Sequence, residues 1–158
     1  MKHATSDLWD ANEGALQVAE PIFRDYGGNR SFGGMVRTLK CFEDNSLVRK
    51  ALGEPGEGAV LVVDAGGSRR CAMLGDQLAE LAVKNGWAGV VMWGLIRDSA
   101  VIAEMALGVK ALGTIPVKSV KRGEGQLDVP VTFAGVTFEP GNWLYADADG
   151  IVVATSKL

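Results

Sequence analysis

The sequence predicts an α/β fold that ends in a β-rich C-terminal part. Two near-continuous apolar runs, residues 58–65 and 89–93, are typical of parallel strands that are covered on both faces. A helical pattern lies between these runs and another follows the second one, which is the alternation of an α/β sheet. From residue 128 onward, short alternating runs are separated by glycine-containing turns, as in hairpins. The 158 residues contain no repeat and no linker, so we expect one domain over residues 1–158.

Local signals place the individual elements along the chain. Asn45 can cap a helix that ends at Gly53, while Leu78 and Ala82 share one face of a helix closed by Gly86. Four helices are predicted: near Ser6, over Ser46 to Leu52, from Asp76 to Gly86, and from Asp98 to about Leu107 with Gly108 at its end. The predicted strands of the α/β part cover residues 35–42, 58–65, 89–93 and 109–113.

The composition argues against several classes of site. The one histidine, His3, lies in a polar N-terminal stretch, which argues against a histidine-ligated zinc site and a Ser-His-Asp triad. The net charge of −3 and the scattered basic residues disfavour direct binding of nucleic acid. Chemistry must therefore depend on Asp, Glu, Arg, Lys and backbone groups, and any metal would be one that prefers oxygen ligands, such as Mg²⁺ or Mn²⁺.

No segment of the sequence predicts membrane insertion or secretion. The longest uncharged apolar run, Ala88 to Ile96, has nine residues, whereas a membrane helix needs about 18. The N-terminal residues lack the apolar core of a signal peptide. Cys41 and Cys71 are the two cysteines, too few to suggest a disulfide framework. We therefore expect a cytoplasmic protein without membrane contact.

Asp76 and the pair Arg97-Asp98 stand out because each aspartate begins a predicted helix that follows an apolar strand. Ligands collect at the carboxyl ends of parallel strands, which would place these side chains at a binding site. Each aspartate could instead serve only as a helix cap or first-turn residue, a role that contributes about 1 kcal/mol. Arg97 could bind a carboxylate in bidentate fashion, or form a surface ion pair with Asp98. The spacing alone leaves these alternatives open.

Two further segments could bind anions. The stretch "VVDAGGSRR" (62–70) departs from the G-x-G-x-x-G pattern of nucleotide loops, so we interpret it as a tight turn whose N–H groups could bind a carboxylate. Lys118 and Lys121, in "PVKSVKRGEG", could bind an anion or, if buried, form a Schiff base. The simplest interpretation of this second segment is a solvated basic loop.

Long stretches of the chain resemble one protein family, from about residue 4 to residue 155. They include "MLGDQLAELAVKNGWAGVV" (73–91), "GVKALGTIPVKSVKRGEG" (108–125) and "DVPVTFAGVTFEPGNWLYADADGIVV" (128–153). The family is that of the regulator of ribonuclease E activity A (RraA) and the class II 4-hydroxy-4-methyl-2-oxoglutarate aldolases. Its aldolases carry an Asp, twenty intervening residues and then Arg-Asp, which Asp76 and Arg97-Asp98 match.

The resemblance implies roles for individual residues. Asp98 would ligate Mg²⁺ or Mn²⁺, and Asp76 would help to hold the metal through water. Arg97 and Asp76 would be the catalytic residues, with Arg97 holding the pyruvyl group of a small 2-oxo acid. The other residues expected to contact substrate are Gly75, Gln77 and Leu78 through their backbone, and Asn45 and Lys121 through their side chains.

The resemblance also implies a fold, an assembly and a function. The fold would be the single-domain swivelling β/β/α type, and the assembly a homotrimeric ring, sometimes paired into a hexamer, with sites between subunits. The expected activity is aldol cleavage of 4-hydroxy-2-oxo acids to pyruvate, with oxaloacetate decarboxylation as a side activity. The alternative is a protein inhibitor of ribonuclease E that acts by contact. The chain length is typical of the regulators, whereas the intact pairs Gly75-Asp76 and Arg97-Asp98 favour the aldolase.

Overall fold

A computed structural model describes every residue from Met1 to Leu158, and most of the ordered backbone lies in sheet. The four helices are α1 (Thr5–Ala11), α2 (Ser46–Leu52), α3 (Asp76–Lys84) and α4 (Ser99–Ile102). The strands are β1 (Gln17–Val18), β2 (Arg24–Asp25), β3 (Phe32–Lys40), β4 (Val60–Asp64), β5 (Ala72–Leu74), β6 (Gly89–Ile96), β7 (Gly108–Thr114), β8 (Gln126–Leu127), β9 (Val131–Phe133), β10 (Val136–Phe138), β11 (Trp143–Asp147) and β12 (Gly150–Ala154). None of the four helices has the length and apolar character needed to cross a bilayer.

A mixed sheet forms the centre of the molecule, in the order β1-β12-β11-β3-β4-β6-β7-β2. Strands β3, β4, β6 and β7 run parallel to one another, and the short strand β5 pairs in parallel with β6. Strand β11 joins β3 in antiparallel pairing and carries the C-terminal hairpin with β12. The predicted α/β part and the predicted β-rich C-terminal part therefore share one sheet.

The buried strands separate two apolar clusters. Along β4, Leu61 and Val63 face a cluster that includes residues of α2 and α3, whereas Val60 and Val62 face a cluster built with β9 to β12. This alternation explains why the run reads as continuously apolar, because both faces of the strand are covered. The resulting order of a β layer, a central sheet and a helical layer confirms the predicted α/β class with its β/β/α arrangement.

The turn at Ala134-Gly135 shows how the C-terminal hairpins form. It joins β9 to β10 by two residues whose φ angles are both positive, 52° and 73°. A two-residue hairpin turn of this kind needs φ above zero at both positions, which glycine adopts at little cost. The β9–β10 and β11–β12 hairpins confirm the prediction that glycine-containing turns form hairpins after residue 128.

The predictions for α1, α2 and α3 are confirmed, whereas the predicted C-terminal end of α4 is wrong. α2 has the predicted bounds, and α3 ends before Gly86, which has φ +77°. The fourth helix, predicted to reach about Leu107, is a single turn that ends at Ile102, and Gly108 begins β7 instead of capping a helix. The reason lies in a distant loop, whose Gly28 and Asn29 N–H groups donate to the carbonyls of Met105 and Leu107.

Candidate active site

Strand pairing brings the two charged motifs together. Strand β5 ends at Leu74, directly before Gly75-Asp76, and strand β6 ends at Ile96, directly before Arg97-Asp98. Leu74 and Ile96 are partners in the parallel pairing of β5 with β6, and the Arg97 N–H donates to the Leu74 carbonyl at 2.9 Å. The motifs therefore lie side by side at the carboxyl edge of the sheet, as expected from the strand pattern. Strand β5 itself was not predicted.

Asp98 links these two segments through its side chain. Its Oδ2 accepts a hydrogen bond from the Asp76 backbone N–H at 3.0 Å, and the Arg97 Nε lies 4.0 Å from the same oxygen. The residue has left-handed backbone angles (φ 57°, ψ 36°), and its side chain makes no capping bond to its own helix α4. The carboxylate therefore satisfies the first turn of α3 instead, and the interpretation of Asp98 as a simple cap of α4 is wrong.

Gly75 is required by the close approach of these groups. A Cβ atom at this position would lie 2.9 Å from Asp98 Oδ2 and 3.4 Å from Arg97 Nε. The backbone of Gly75 is extended (φ −127°, ψ −171°), a conformation that any residue adopts. The glycine is therefore needed for space around the Asp98 carboxylate and not for its backbone conformation.

The two aspartates form a donor set that fits Mg²⁺ or Mn²⁺. Asp76 is half-buried, and its Oδ1 accepts from the Gln77 N–H at 2.8 Å. One carboxylate oxygen of Asp76 and one of Asp98 remain without a protein donor. The structure contains no cluster of three or more His, Cys, Asp or Glu side chains that could enclose a metal. Mg²⁺ needs no such enclosure, because it is commonly held by one or two carboxylates and keeps several waters.

A small cavity of about 110 Å³ opens beside these residues and is strongly cationic. Four positive side chains and one carboxylate line it, and Arg49 and Lys118 were not among the expected contacts. The lining residues are Asn45, Arg49, Ala72, Gly75, Asp76, Gln77, Leu78, Arg97, Lys118, Ser119 and Lys121. The first turn of α3 also borders the cavity, where the helix dipole favours an anion and the Leu78 N–H has no protein acceptor. The cavity is therefore suited to a small carboxylate.

The structure thus brings together all of the predicted substrate contacts. The cavity is lined by Gly75, Asp76, Gln77, Leu78, Arg97, Asn45 and Lys121. Asp98 accepts a hydrogen bond from the backbone N–H of Asp76. Lys118 and Lys121 are exposed, so neither has the buried position expected of a Schiff-base lysine. Their segment is the solvated basic loop that was the simplest interpretation, and its cations face the cavity.

Two buried polar atoms at this cavity lack a hydrogen-bond partner. They are Asn45 Oδ1 and Ser119 Oγ, and they are the only such side-chain atoms in the structure. Asn45 lies at the start of α2 but makes no capping bond with its side chain, so the sequence-based prediction of an Asn45 cap is wrong. Buried polar groups are nearly always paired, so unpaired atoms in residues that line a cavity indicate a ligand or water there.

Asp44 holds the basic loop in place. Its Oδ1 accepts from the Ser46 N–H (2.9 Å) and hydroxyl (2.6 Å), and its Oδ2 accepts from the N–H groups of Arg122 (2.8 Å) and Glu124 (3.1 Å). Burial alone would raise the pKa of Asp44, but the hydrogen bonds from Ser46, Glu124 and Arg122 outweigh it and lower this pKa to about 2. The carboxylate therefore ties the start of α2 to the loop that carries Lys121.

Sequence reasoning missed Asp44, Arg49 and Ser119. Arg49 follows Asn45 by four residues in α2, so the i,i+4 spacing could have placed both on one helix face. No sequence signal distinguishes Ser119 or Asp44, because their roles depend on the packing of the loop against β5 and α2. The glycine turn at 66–67, in which the Gly66 N–H donates to Asp64, does not line the cavity.

Comparison with known proteins agrees with this arrangement of residues. A family model described as "RraA-like: Aldolase/RraA" matches residues 5–153. The chain belongs to this RraA-like family. Among relatives of the RraA-like protein, one from Aromatoleum aromaticum is 60% identical over all 158 residues and 99% of its own length. Another, from Alkalilimnicola ehrlichii, is 61% identical over the whole chain and 98% of its own length. Both bear the name "Putative 4-hydroxy-4-methyl-2-oxoglutarate aldolase".

Two solved structures share the fold of this RraA-like protein. One, from Geobacillus kaustophilus HTA426, is described as an S-adenosylmethionine: 2-dimethylmenaquinone methyltransferase; it is 54% identical with a TM-score of 0.97, covering 99% of this chain and 97% of that one. The other is described as the RNA-processing inhibitor RraA from a Thermus species; it is 45% identical with a TM-score of 0.96, covering 100% and 96%. Proteins with this one fold therefore carry names that describe different functions. The geometry of the site, and not the fold, is needed to distinguish between these functions.

Proposed function

We propose that this RraA-like protein is a metal-dependent aldolase that cleaves 4-hydroxy-4-methyl-2-oxoglutarate and related 4-hydroxy-2-oxo acids to pyruvate. The observation that carries the proposal is the placement of Asp76 beside Arg97-Asp98 at the edge of a cationic cavity. The names of the relatives at 60% and 61% identity agree with it. Oxaloacetate decarboxylation is proposed as a side activity, because loss of CO₂ from that acid generates the same pyruvate enolate.

The pyruvyl carboxylate would bind between Arg97 and the first turn of α3. Arg97 offers a planar pair of donors that matches a carboxylate, and its side chain is 41% exposed and lines the cavity. The Leu78 N–H lies in the first turn of α3, where the helix dipole favours an anion, and the neighbouring Gln77 N–H would have to leave Asp76 Oδ1 to join it. Together these groups hold the 2-oxo acid in one orientation.

Cleavage of the C3–C4 bond leaves negative charge on the oxygen at C2. Positive groups that are already in place lower the energy of such an enolate in the transition state. Asp98 and Asp76 would hold the Mg²⁺ or Mn²⁺ ion, which would supply a positive charge next to this oxygen without any histidine. Arg97 adds a second positive charge on the carboxylate side.

A proton must also leave the C4 hydroxyl as the C3–C4 bond breaks. Asp76 is the carboxylate that lines the cavity, so it would accept this proton, directly or through a water. The bonding electron pair passes to C3, and protonation of C3 completes one pyruvate. The carbon that carried the hydroxyl becomes a ketone, so 4-hydroxy-4-methyl-2-oxoglutarate yields a second pyruvate. Asn45 and Lys121 would face this other half of the substrate.

The decisive experiment measures pyruvate release from 4-hydroxy-4-methyl-2-oxoglutarate and from oxaloacetate, with Mg²⁺, with Mn²⁺ and after EDTA. Release that requires metal and returns when the metal is restored is the expected result. Release from neither acid in the presence of either metal would overturn the proposal.

We also propose that the protein forms a homotrimer, alone or paired into a hexamer, with its sites between subunits. Several large apolar side chains are exposed on the single chain, including Phe42 (58%), Val117 (51%) and Val120 (48%) in the segments that border the site. Exposed apolar groups of this number commonly mark an interface. Light scattering on the eluting peak of a gel-filtration column would give the mass, and a monomer would contradict the proposal.

Inhibition of a ribonuclease E by direct contact is a second candidate function. It is favoured by the solved structure described as the RNA-processing inhibitor RraA, which is 45% identical and covers the whole chain. A pull-down with purified ribonuclease E, at low and at moderate salt, tests it. Binding would support this second function and would leave the aldolase proposal intact, since the two roles are compatible. Absence of binding at both salt concentrations would exclude inhibition by contact.

A further inference from the structure

Ser119 is a buried polar residue at the cavity that the proposed chemistry leaves without a role. Its side chain is 5% exposed, and its hydroxyl oxygen has no hydrogen-bond partner. An unpaired buried hydroxyl is destabilising, because it has lost its hydrogen bonds to water. Such a group takes its partner from a bound water or from a ligand.

The backbone around Ser119 is fixed on both sides. The Ala72 N–H donates to the Val117 carbonyl at 2.7 Å, and the Val120 N–H donates to the Glu43 carbonyl at 3.1 Å. These bonds join the segment to β5 on one side and to the end of β3 on the other. The loop backbone is therefore held in place, so the Ser119 hydroxyl can turn towards a ligand in the cavity only by rotation of its own side chain.

Ser119 also lies where two cavities meet. With Lys118 it lines both the cationic cavity and a neighbouring cavity of about 470 Å³, roughly four times larger. Phe42, Cys71 and Val120 give this second cavity a partly apolar wall, and Arg122 and Glu124 give it charge. A 2-oxo acid held at Arg97 must pass Ser119 if its far end extends into the larger cavity.

We propose that the Ser119 hydroxyl hydrogen-bonds the part of the substrate beyond C3, and that it thereby selects 2-oxo acids that carry a polar group there. The inference rests on the proposed function, since it assumes that the pyruvyl end binds at Arg97 and α3. Ser119 is a specificity-determining residue in this arrangement, and the larger cavity takes the remaining substituent on C4. The ligand class is a 2-oxo acid with a hydroxyl or carboxylate on carbon four or five.

The test compares Ser119→Ala with wild type using two non-cleavable ligands in the presence of Mg²⁺. Pyruvate contains only the head of the substrate, whereas 2-oxoglutarate adds two carbons, the second of which is a terminal carboxylate. Calorimetry should show about tenfold weaker binding of 2-oxoglutarate to Ser119→Ala, with pyruvate affinity unchanged within about twofold. In turnover of 4-hydroxy-4-methyl-2-oxoglutarate, KM should rise by a similar factor while kcat stays within about threefold. Ser156→Ala, an exposed serine in the C-terminal tail, is the matched control.

The melting temperature of the ligand-free variant separates this role from a structural one. Removal of a hydroxyl that has no partner should leave the melting temperature unchanged or raise it, because no bond is lost. A fall of several degrees, or equal weakening of pyruvate and 2-oxoglutarate, would overturn the proposal. Unchanged binding of both ligands would overturn it as well.

The outcomes also distinguish this inference from the proposed function. If the wild type binds both ligands but releases no pyruvate, the aldolase fails, and the Ser119 effect on 2-oxoglutarate still decides the inference. If the wild type is active and Ser119→Ala binds 2-oxoglutarate normally, the inference fails and the aldolase stands. If the wild type binds neither ligand, both fail.

Discussion

The Asp98 carboxylate accepts a hydrogen bond from the backbone N–H of Asp76, a residue 22 positions earlier in the chain. One side chain thereby completes the first turn of α3 and fixes its own orientation beside Arg97. This geometry requires a left-handed backbone at Asp98, which Asp and Asn adopt more readily than most residues. Asp98 is hydrogen-bonded to a residue that lines the cavity, so its unusual backbone conformation is consistent with a functional constraint.

Asp98→Asn separates the charge of this side chain from its hydrogen bond. Asparagine tolerates the left-handed backbone, and its carbonyl oxygen can still accept from Asp76, so the melting temperature should change by no more than about 4 °C. Loss of the negative charge should weaken Mn²⁺ binding and reduce metal-dependent pyruvate release by more than about 100-fold. This loss exceeds the one expected for a residue that only hydrogen-bonds to a metal ligand. Calorimetry with Mn²⁺ and a coupled pyruvate assay measure the two effects.

Asp10→Asn, an exposed aspartate in α1, is the control for that experiment and should leave both measurements unchanged. Asp98→Ala should also abolish turnover, while costing about 1 kcal/mol or more in stability because the hydrogen bond to α3 is lost. Retained activity in either Asp98 variant would contradict the assignment of this residue to the metal.

Gly75→Ala should damage the site and spare the fold. The new Cβ would lie 2.9 Å from Asp98 Oδ2, so the carboxylate must move, whereas the extended backbone accepts alanine without strain. Displacement of a reacting group by about 1 Å can cost roughly 100-fold, so we expect kcat/KM to fall by about 10- to 100-fold. Gly113→Ala serves as the control, because its Cβ would meet only the end of the flexible Leu95 side chain. Normal activity in Gly75→Ala would show that the Asp98 position is unimportant.

Arg97→Lys should weaken substrate binding although the charge is retained. Lysine cannot offer the planar pair of donors that matches the pyruvyl carboxylate. Loss of one charge-assisted hydrogen bond corresponds to a rise in KM of about 10- to 100-fold. Steady-state kinetics with oxaloacetate measures this change, and Arg69→Lys, at an exposed position outside the cavity, is the control. An unchanged KM would place the carboxylate elsewhere in the cavity.

Sequence patterns predicted the helices, the buried strands and the motif residues because these depend on local signals. The apolar run of β4 and the helix of α2 follow from periodicity and from glycine at the helix end. The short strand β5 lacks such a signal, since three residues cannot show a period, and it forms because it pairs with β6. The end of α4 is likewise set by Gly28 and Asn29, which are distant in sequence.

The site could be predicted in part for the same reason. Asp76, Arg97 and Asp98 were found because a strand pattern placed them at one edge of the sheet and a family motif matched them. Ser119 and Asp44 were missed because their importance arises from burial and from contacts between a loop and two other elements. The direction of the Asp98 hydrogen bond, towards α3 and away from α4, was also beyond prediction from spacing.

Asp44→Asn should destabilise the protein and disturb the loop that borders the cavity. An asparagine NH₂ group would face either Ser46 or the N–H groups of Arg122 and Glu124, so at least one backbone hydrogen bond is lost at a residue that is 2% exposed. We expect a loss of roughly 3 kcal/mol in the free energy of unfolding, measured by urea denaturation at neutral pH. Asp149→Asn, an exposed aspartate in the β11–β12 turn, should change little.

The pH dependence of this difference tests its cause. The folded pKa of Asp44 is about 2, below the value near 3.9 of an unfolded aspartate, so folding favours the ionised form. The contribution is complete above about pH 4 and is lost as pH falls towards 2, because the folded carboxylate then becomes protonated. The gap in unfolding free energy between wild type and Asp44→Asn should therefore narrow between pH 4 and pH 2. A gap that stays constant over this range would mean that the ionised carboxylate is not what holds the loop to α2.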